Sequence, residues 1–246
     1  MSFKISFIGA GNVTWHIAKA LENAGNSVQE VFSREPSKAK DVVSYLYNAK
    51  VQEDLDFSDS AATVFFLCVP ESAYSEVLKE LLLPKYATLI LVSGTFSLAE
   101  ANLLYDPARE STNQMGVFFP VQHLESGRRI KLDNMPICLE VLVEETQNTL
   151  VALAKDITDA MYLVSGEERK KIHKAMLLAG VLTQNLWSHA QELLQSIELE
   201  PSLLHGLVQQ HVQAFFTGNP LSKEISDPHL REVNFQINQI LERNLI

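Results

Sequence analysis

The chain has 246 residues, 46% hydrophobic and 20% charged, enough apolar material for a buried core in one large or two modest domains and too much for a disordered chain. Thirty acidic residues against twenty basic ones give a net charge of −10, which excludes the basic stripe of a general nucleic-acid binder. No run reaches the ~18 apolar residues that span a bilayer, and the opening MSFKISFIGAG has no small-residue cleavage site; the expectation is a soluble, cytoplasmic protein.

Residues 3–8 read as a buried first strand that ends in Gly9-Ala10-Gly11. Val13, Ile17, Ala20, Leu21 and Ala24 then recur at helical spacing, with Gly25 where a helix C-cap belongs. Val28–Ser33 reads as a second strand, and Pro36 opens a helix through Ala39, Val42, Val43 and Leu46. After a short extended piece near 49–51, the runs 63–69 and 87–92 are almost continuously apolar, with an amphipathic segment 71–82 between them. Runs apolar on both faces and separated by helices indicate a parallel sheet covered on both sides. Further strands are expected at Gly116–Phe119, Pro136–Val141 and Met161–Val164, with a helix over about 145–158. Cys68 and Cys138 sit in apolar runs without metal-ligand or redox spacing, which suits a reducing compartment.

The texture changes near Ser165. Glu167 to about Ser196 has no proline and a single glycine, and reads as one uncapped helix of roughly thirty residues, a length typical of an interface helix. Pro201 opens a second helix to about Phe216; Gly218, Pro220 and Pro228 break the chain before a last helix to about Leu241. The fold class is therefore α/β: a Rossmann-type doubly wound parallel sheet over residues 1–164, then an all-α domain over 165–246.

A strand running into Gly9-Ala10-Gly11-Asn12-Val13-Thr14 and then a helix is the setting that a dinucleotide fingerprint requires. Gly9 permits the tight turn, and Gly11 lets backbone approach a pyrophosphate lying on the N–H groups of the helix N-terminus. Thr14 stands where a third glycine normally allows close packing. At the end of the second strand, NAD binders carry an acid for the ribose hydroxyls, whereas this chain has Ser33 and Arg34, a hydroxyl and a guanidinium suited to the 2′-phosphate of NADP. A register shift of one would put Glu35 there instead, and Arg34 alone also reads as a solvated surface charge. Val69-Pro70 and Ser93-Gly94-Thr95 follow the fourth and fifth strands, at the carboxyl edge where ligands gather; cofactor contact and ordinary loop chemistry explain them equally well.

The first half resembles the NADP-binding domain shared by deazaflavin-dependent NADP oxidoreductases and pyrroline-5-carboxylate reductases. The whole chain resembles bacterial proteins that join this domain to a helical C-terminal domain of unknown function, itself similar to that of 6-phosphogluconate dehydrogenase relatives. The resemblance rests on Gly9–Val13, Ser33-Arg34, Val69-Pro70, Ser93-Gly94, the stretch Gly116–Gln122, the stretch Met135–Glu140, and Glu168-Arg169-Lys170 leading to His173. It implies NADP binding, with a reduced deazaflavin as a further hydride partner to consider. Relatives follow the helix histidine with two asparagines and another histidine; Val181, Gln184 and Asn185 stand here. Their Gln-Thr-Gly-Pro-Ala pattern and following arginine become Phe216-Thr217-Gly218-Asn219-Pro220, with Lys223 near the arginine position.

Hydride transfer needs an oriented nicotinamide and a proton donor. His173, Lys174 and His123 are the candidates. His173 is able to donate near neutral pH, and reads equally as a helix-packing histidine. Lys174 would serve if desolvated, although the asparagine that partners such a lysine in 6-phosphogluconate dehydrogenase relatives is replaced by Leu178; a solvated lysine is the plainer reading. His123 follows a strand and reads first as a surface loop. None of the seven histidines makes a zinc pattern, and Gly-x-Ser-x-Gly is absent. Glu144-Glu145 and Glu167-Glu168 open helices, where acids favour the dipole.

The leading expectation is an NADP-dependent oxidoreductase that acts on a small carbonyl or imine held between the domains and dimerises through its helical half. The rival is an NADP-binding regulatory or scaffold protein that has lost catalysis, motivated by Val181, Gln184 and Asn185. No nucleic acid, membrane or metal partner is expected.

Overall fold

The computed structural model describes residues 2–106, 112–125, 127, 130–218 and positions 231, 232, 235 and 239. Eight strands form one sheet: β1 (Lys4–Ile8), β2 (Ser27–Phe32), β3 (Lys50–Gln52), β4 (Val64–Leu67), β5 (Thr88–Leu91), β6 (Gln114–Pro120), β7 (Ile137–Val141) and β8 (Met161–Leu163). Their order is β3-β2-β1-β4-β5-β6-β7-β8, so the chain reverses direction across the sheet between β1 and β4, a topological switch point. Helices α1 (Asn12–Asn23), α2 (Pro36–Val43), α3 (Tyr74–Glu80), α4 (Leu98–Tyr105) and α5 (Glu144–Lys155) connect the strands.

The apolar runs place the central strands as their composition requires. Every residue of β4 and β5 is buried, and Phe7, Phe66 and Ile90 line up through parallel pairings of Phe7 with Phe66 and of Phe66 with Ile90. Phe66 packs on Phe7 at 5.2 Å and on Phe118 at 5.6 Å between ring centres, which ties three strands into one core. The expected parallel sheet has one exception: β6 and β7 pair antiparallel, Phe119 opposite Cys138. The segment between them contains no crossover helix among its described residues, and a parallel return needs one.

Two helices begin at local caps. Helix α4 is capped by Ser97, whose Oγ accepts from the Glu100 N–H at 3.3 Å. The helix expected to be uncapped beyond Ser165 is capped as well. Ser165 Oγ accepts from the Glu168 N–H at 3.3 Å, and the Glu168 carboxylate takes the Ser165 N–H at 2.8 Å, a reciprocal capping box.

That helix is α6 (Gly166–Leu177); a π-helical stretch (Leu178–Leu182) separates it from α7 (Thr183–Gln195). A short 3₁₀ turn at Pro201–Leu204 opens α8 (His205–Thr217), which ends at Gly218 with φ +68. Pro220, Lys223, Pro228 and most of the last helix expected to about Leu241 lie outside the described residues. The chain divides into two compact units, Met1–His173 and Lys174–Ile246, so the first two turns of α6 belong with the sheet. Among the described residues no helix is long and apolar enough to cross a membrane.

Candidate functional site

The turn between β1 and α1 uses its two glycines differently. Gly9 has φ +113, donates its N–H to the Phe32 carbonyl at 2.8 Å, and a Cβ there would lie 2.6 Å from the Cys68 carbonyl oxygen. No other residue fits. Gly11, with an ordinary φ of −86, has nothing within 4 Å of where a Cβ would stand. It is the N-cap of α1, which has neither a side-chain cap nor an acid in its first turn. The first N–H groups of a twelve-residue helix therefore take no side-chain cap, the arrangement that receives an anion. Thr14 does not leave the turn loose: it is fully buried and donates its hydroxyl to the Gly9 carbonyl at 2.7 Å. Burial pushes the neighbouring Cys68 thiol up to about 12, with a Thr14 hydrogen bond pulling the other way, so Cys68 is no nucleophile at neutral pH.

At the end of β2 the structure separates Arg34 from Glu35. Glu35 stands at the N-cap position of α2 without a side-chain cap bond and pairs with Lys38 at 2.7 Å, while its N–H donates to Ser33 Oγ at 3.2 Å. Arg34 instead lines a cavity of about 410 Å³ with apolar Phe32, Leu55 and Val77 and the carboxylates of Glu53, Asp54, Asp56, Glu76 and Glu80. It is the only basic residue lining that cavity.

The carboxyl ends of β4 and β5 are fastened together. The buried Tyr74 phenol hydrogen-bonds the carbonyls of Leu67 at 3.1 Å and Val92 at 2.9 Å. Beyond Val69-Pro70, the Glu71 carboxylate accepts the N–H groups of Gly94 and Thr95 at 3.0 and 3.1 Å and the hydroxyls of Ser93 and Thr95. Burial alone would raise the Glu71 pKa, but these four bonds outweigh it and hold the carboxyl below its usual value. Ser93 and Gly94, read from sequence as cofactor contacts, thus spend these donors within the protein.

His173 meets the same turn. A Cβ on Gly94 would stand 2.1 Å from His173 Nδ1, so the glycine leaves room for the imidazole. The other side of the ring packs on Phe119, 5.6 Å between centres. Burial holds the His173 pKa below its usual value, with Glu71 pulling it up and Arg169 pushing it down. Arg169 is fully buried. Its Nε donates to Glu140 Oε2 at 2.8 Å, and its terminal nitrogens to the carbonyls of Ser93 at 3.0 Å and Phe96 at 2.7 Å.

Gly9, Gly11, Val69, Ser93, Gly94 and His173 are therefore gathered along one carboxyl edge of the sheet. Lys174 is the first residue of the second unit. His123 is exposed. Glu71, Phe119 and the burial of Arg169 were not legible in the sequence. The only signal was the Ser165-x-x-Glu168 box, which sets where α6 begins and hence which residues lie one turn apart.

Residues 4–95 match the family model described as NADP oxidoreductase coenzyme F420-dependent, and residues 135–232 match a domain of unknown function, DUF2520. The two matches lie in tandem along the chain. Solved structures that share its fold include three of reductase type or name. A Bacteroides fragilis protein provisionally named an NADP oxidoreductase is 22% identical, with TM-score 0.75 over 98% of this chain and 91% of that one. A reductive aminase of Aspergillus terreus, in complex with NADPH and ethyl-5-oxohexanoate, is 14% identical, with TM-score 0.69 over 100% and 88%. A pyrroline-5-carboxylate reductase of Coxiella burnetii is 15% identical, with TM-score 0.61 over 99% and 93%. No curated protein matches the sequence. The fold of the first unit is that of NAD(P)-dependent oxidoreductases.

Proposed function

We propose that the protein is an NADP-dependent oxidoreductase acting on a small carbonyl or imine compound. The observation that carries the reading is Gly11, which keeps open the approach to the uncapped N-terminus of α1. The N–H groups of Asn12 and Val13 would hold the diphosphate there, beside the fixed Gly9 turn. Arg34, with Ser33 next to it, would take the 2′-phosphate, because Glu35 is drawn off by Lys38. A bound nicotinamide supplies hydride transfer. His173 would orient and polarise the substrate: it stands at the carboxyl ends of the strands, and its depressed pKa leaves it neutral near pH 7, with one ring N–H to hydrogen-bond a substrate oxygen or nitrogen, while solvent supplies the proton.

The test is a titration of NADPH and NADH into the purified protein. The expected result is NADPH binding at least about tenfold tighter, ~1.4 kcal/mol, with that preference lost in Arg34→Ala. Absence of binding by either nucleotide would overturn the proposal, and equal loss of both in Arg34→Ala would remove Arg34 from the 2′-phosphate role. A non-catalytic NADP-binding role is the second reading, favoured by the saturation of the Ser93–Thr95 donors by Glu71. Tight NADPH binding without turnover on a panel of carbonyls, imines and an oxidised deazaflavin would establish it.

The same proposal includes a homodimer. Neither α7 nor α8 contains a buried residue, and a groove of about 440 Å³ lined by Trp187, Leu204, Leu207, Val208 and Val212 runs along them. A second copy of this chain would cover it.

A further inference from the structure

We infer that Glu71 and Arg169 are positioning residues that lock the His173 imidazole with its Nε2 edge outward. The inference rests on the reading of His173 as the group that hydrogen-bonds the substrate and goes beyond it by naming what holds that group in place. The Ser93–Phe96 turn is gripped from two sides. Glu71 takes its N–H groups and hydroxyls, and Arg169 takes its carbonyls at Ser93 and Phe96. A turn of four residues with donors and acceptors both engaged by charged groups has little freedom to shift.

The same arginine sets the helix. Arg169 and His173 are four residues apart on α6 and so share a face one turn apart. With the guanidinium anchored to Glu140 and the turn, His173 is carried onto Gly94, where only a glycine leaves space for it. Nδ1 is buried there without a hydrogen-bond partner, the single such side-chain atom among the described residues. Nε2 is not among the buried side-chain atoms without a partner, which leaves it as the ring nitrogen for a ligand. A buried donor without an acceptor is the rarer and costlier orphan, so the neutral ring keeps its proton on Nε2 and buries a lone pair at Nδ1. The imidazole is thereby preset as an outward donor. The charged groups around it are Glu71 from the loop after β4, Arg169 on its own helix, and Glu140 of β7 through Arg169; β6 contributes only the Phe119 ring.

The experiment is a pH titration of the full-length protein with ¹⁵N-labelled histidine, followed by NMR, with His173→Asn to assign the signal. The wild type should show the Nε2–H tautomer and a pKa below the ordinary histidine value. Glu71→Gln, nearly isosteric, should keep the tautomer and lower the pKa by about half a unit or more, because the attracting charge is gone. Glu71→Ala releases the turn and should mix the tautomers while the pKa climbs toward 6.5. An Nδ1–H tautomer in the wild type would overturn the inference. So would an unchanged His173 titration in Glu71→Gln, which is readable even if the alanine variant fails to fold. The titration needs no nucleotide, so its failure is distinct from a failure of NADPH to bind.

Discussion

The two units of the chain use similar apolar side chains to opposite effect. In the sheet unit, Phe65, Phe66, Leu89 and Ile90 are wholly buried, because neighbouring strands and the helices over them supply cover on both faces. In the helical unit, Leu193, Phe215 and Phe216 are 70%, 75% and 79% exposed, and α7 and α8 bury nothing. Apolar periodicity tells which residues seek cover. Whether the cover comes from the same chain depends on how many elements are at hand to provide it.

The sharpest way to break this contrast is at Arg169. Arg169→Ala strands the Glu140 carboxylate and two carbonyls inside the sheet unit, and should cost about 3–5 kcal/mol, measured by denaturant unfolding with the sheet unit's near-ultraviolet signal. Gly9→Ala comes next: the positive φ and the contact with Cys68 together should cost about 2–4 kcal/mol. Gly11→Ala is its counterpart. With open space around its Cβ, it should cost folding only about 0.5–1 kcal/mol through the cap, yet weaken NADPH at least about tenfold. A large stability loss in Gly11→Ala would show that the turn serves the fold alone.

In the helical unit, Leu207→Asp should leave the sheet unit's unfolding midpoint within about 0.5 kcal/mol of wild type. Light scattering should nevertheless report monomer where the wild type reports dimer; a wild-type monomer at micromolar concentration would remove the homodimer from the proposal.

The smallest effect is on pH dependence. Glu71 has a folded pKa below its unfolded value, so its contribution is present above the unfolded carboxylate pKa and is lost as pH falls through the folded one. His173, also depressed, favours the folded state above its unfolded pKa and loses that contribution as pH falls through its folded one. Both slopes point the same way, so stability should decline on acidification from neutral pH. Glu71→Gln should flatten the lower, carboxylate part of that decline and deepen the histidine part, because His173 loses the charge that pulls its pKa up, as measured by thermal melts across pH 3 to 8.

Much of the sheet unit was legible because its signals are local. The run Val64–Leu67, the Gly9–Asn12 turn and Pro36 at the start of α2 each declare an element through neighbours a few residues away. Helix α4 is equally declared by Ser97 and Glu100, and α6 by Ser165 and Glu168, through capping pairs three residues apart. What no local pattern carries is a partnership across the chain. Glu71 meets residues 22 to 24 positions away, and Arg169 reaches residues 73 and 76 positions away.

By its own order of residues, then, the sequence determined an α/β unit with a glycine turn opening α1, an arginine after β2 and a helical tail, since period, capping and backbone permission act over a few residues. Only the tertiary structure decided that Glu35 turns away to Lys38 while Arg34 faces the cavity, that β7 runs antiparallel, and that Glu71, Arg169 and Gly94 converge on His173. Those outcomes depend on which strand ends lie side by side, and that is a property of the whole sheet.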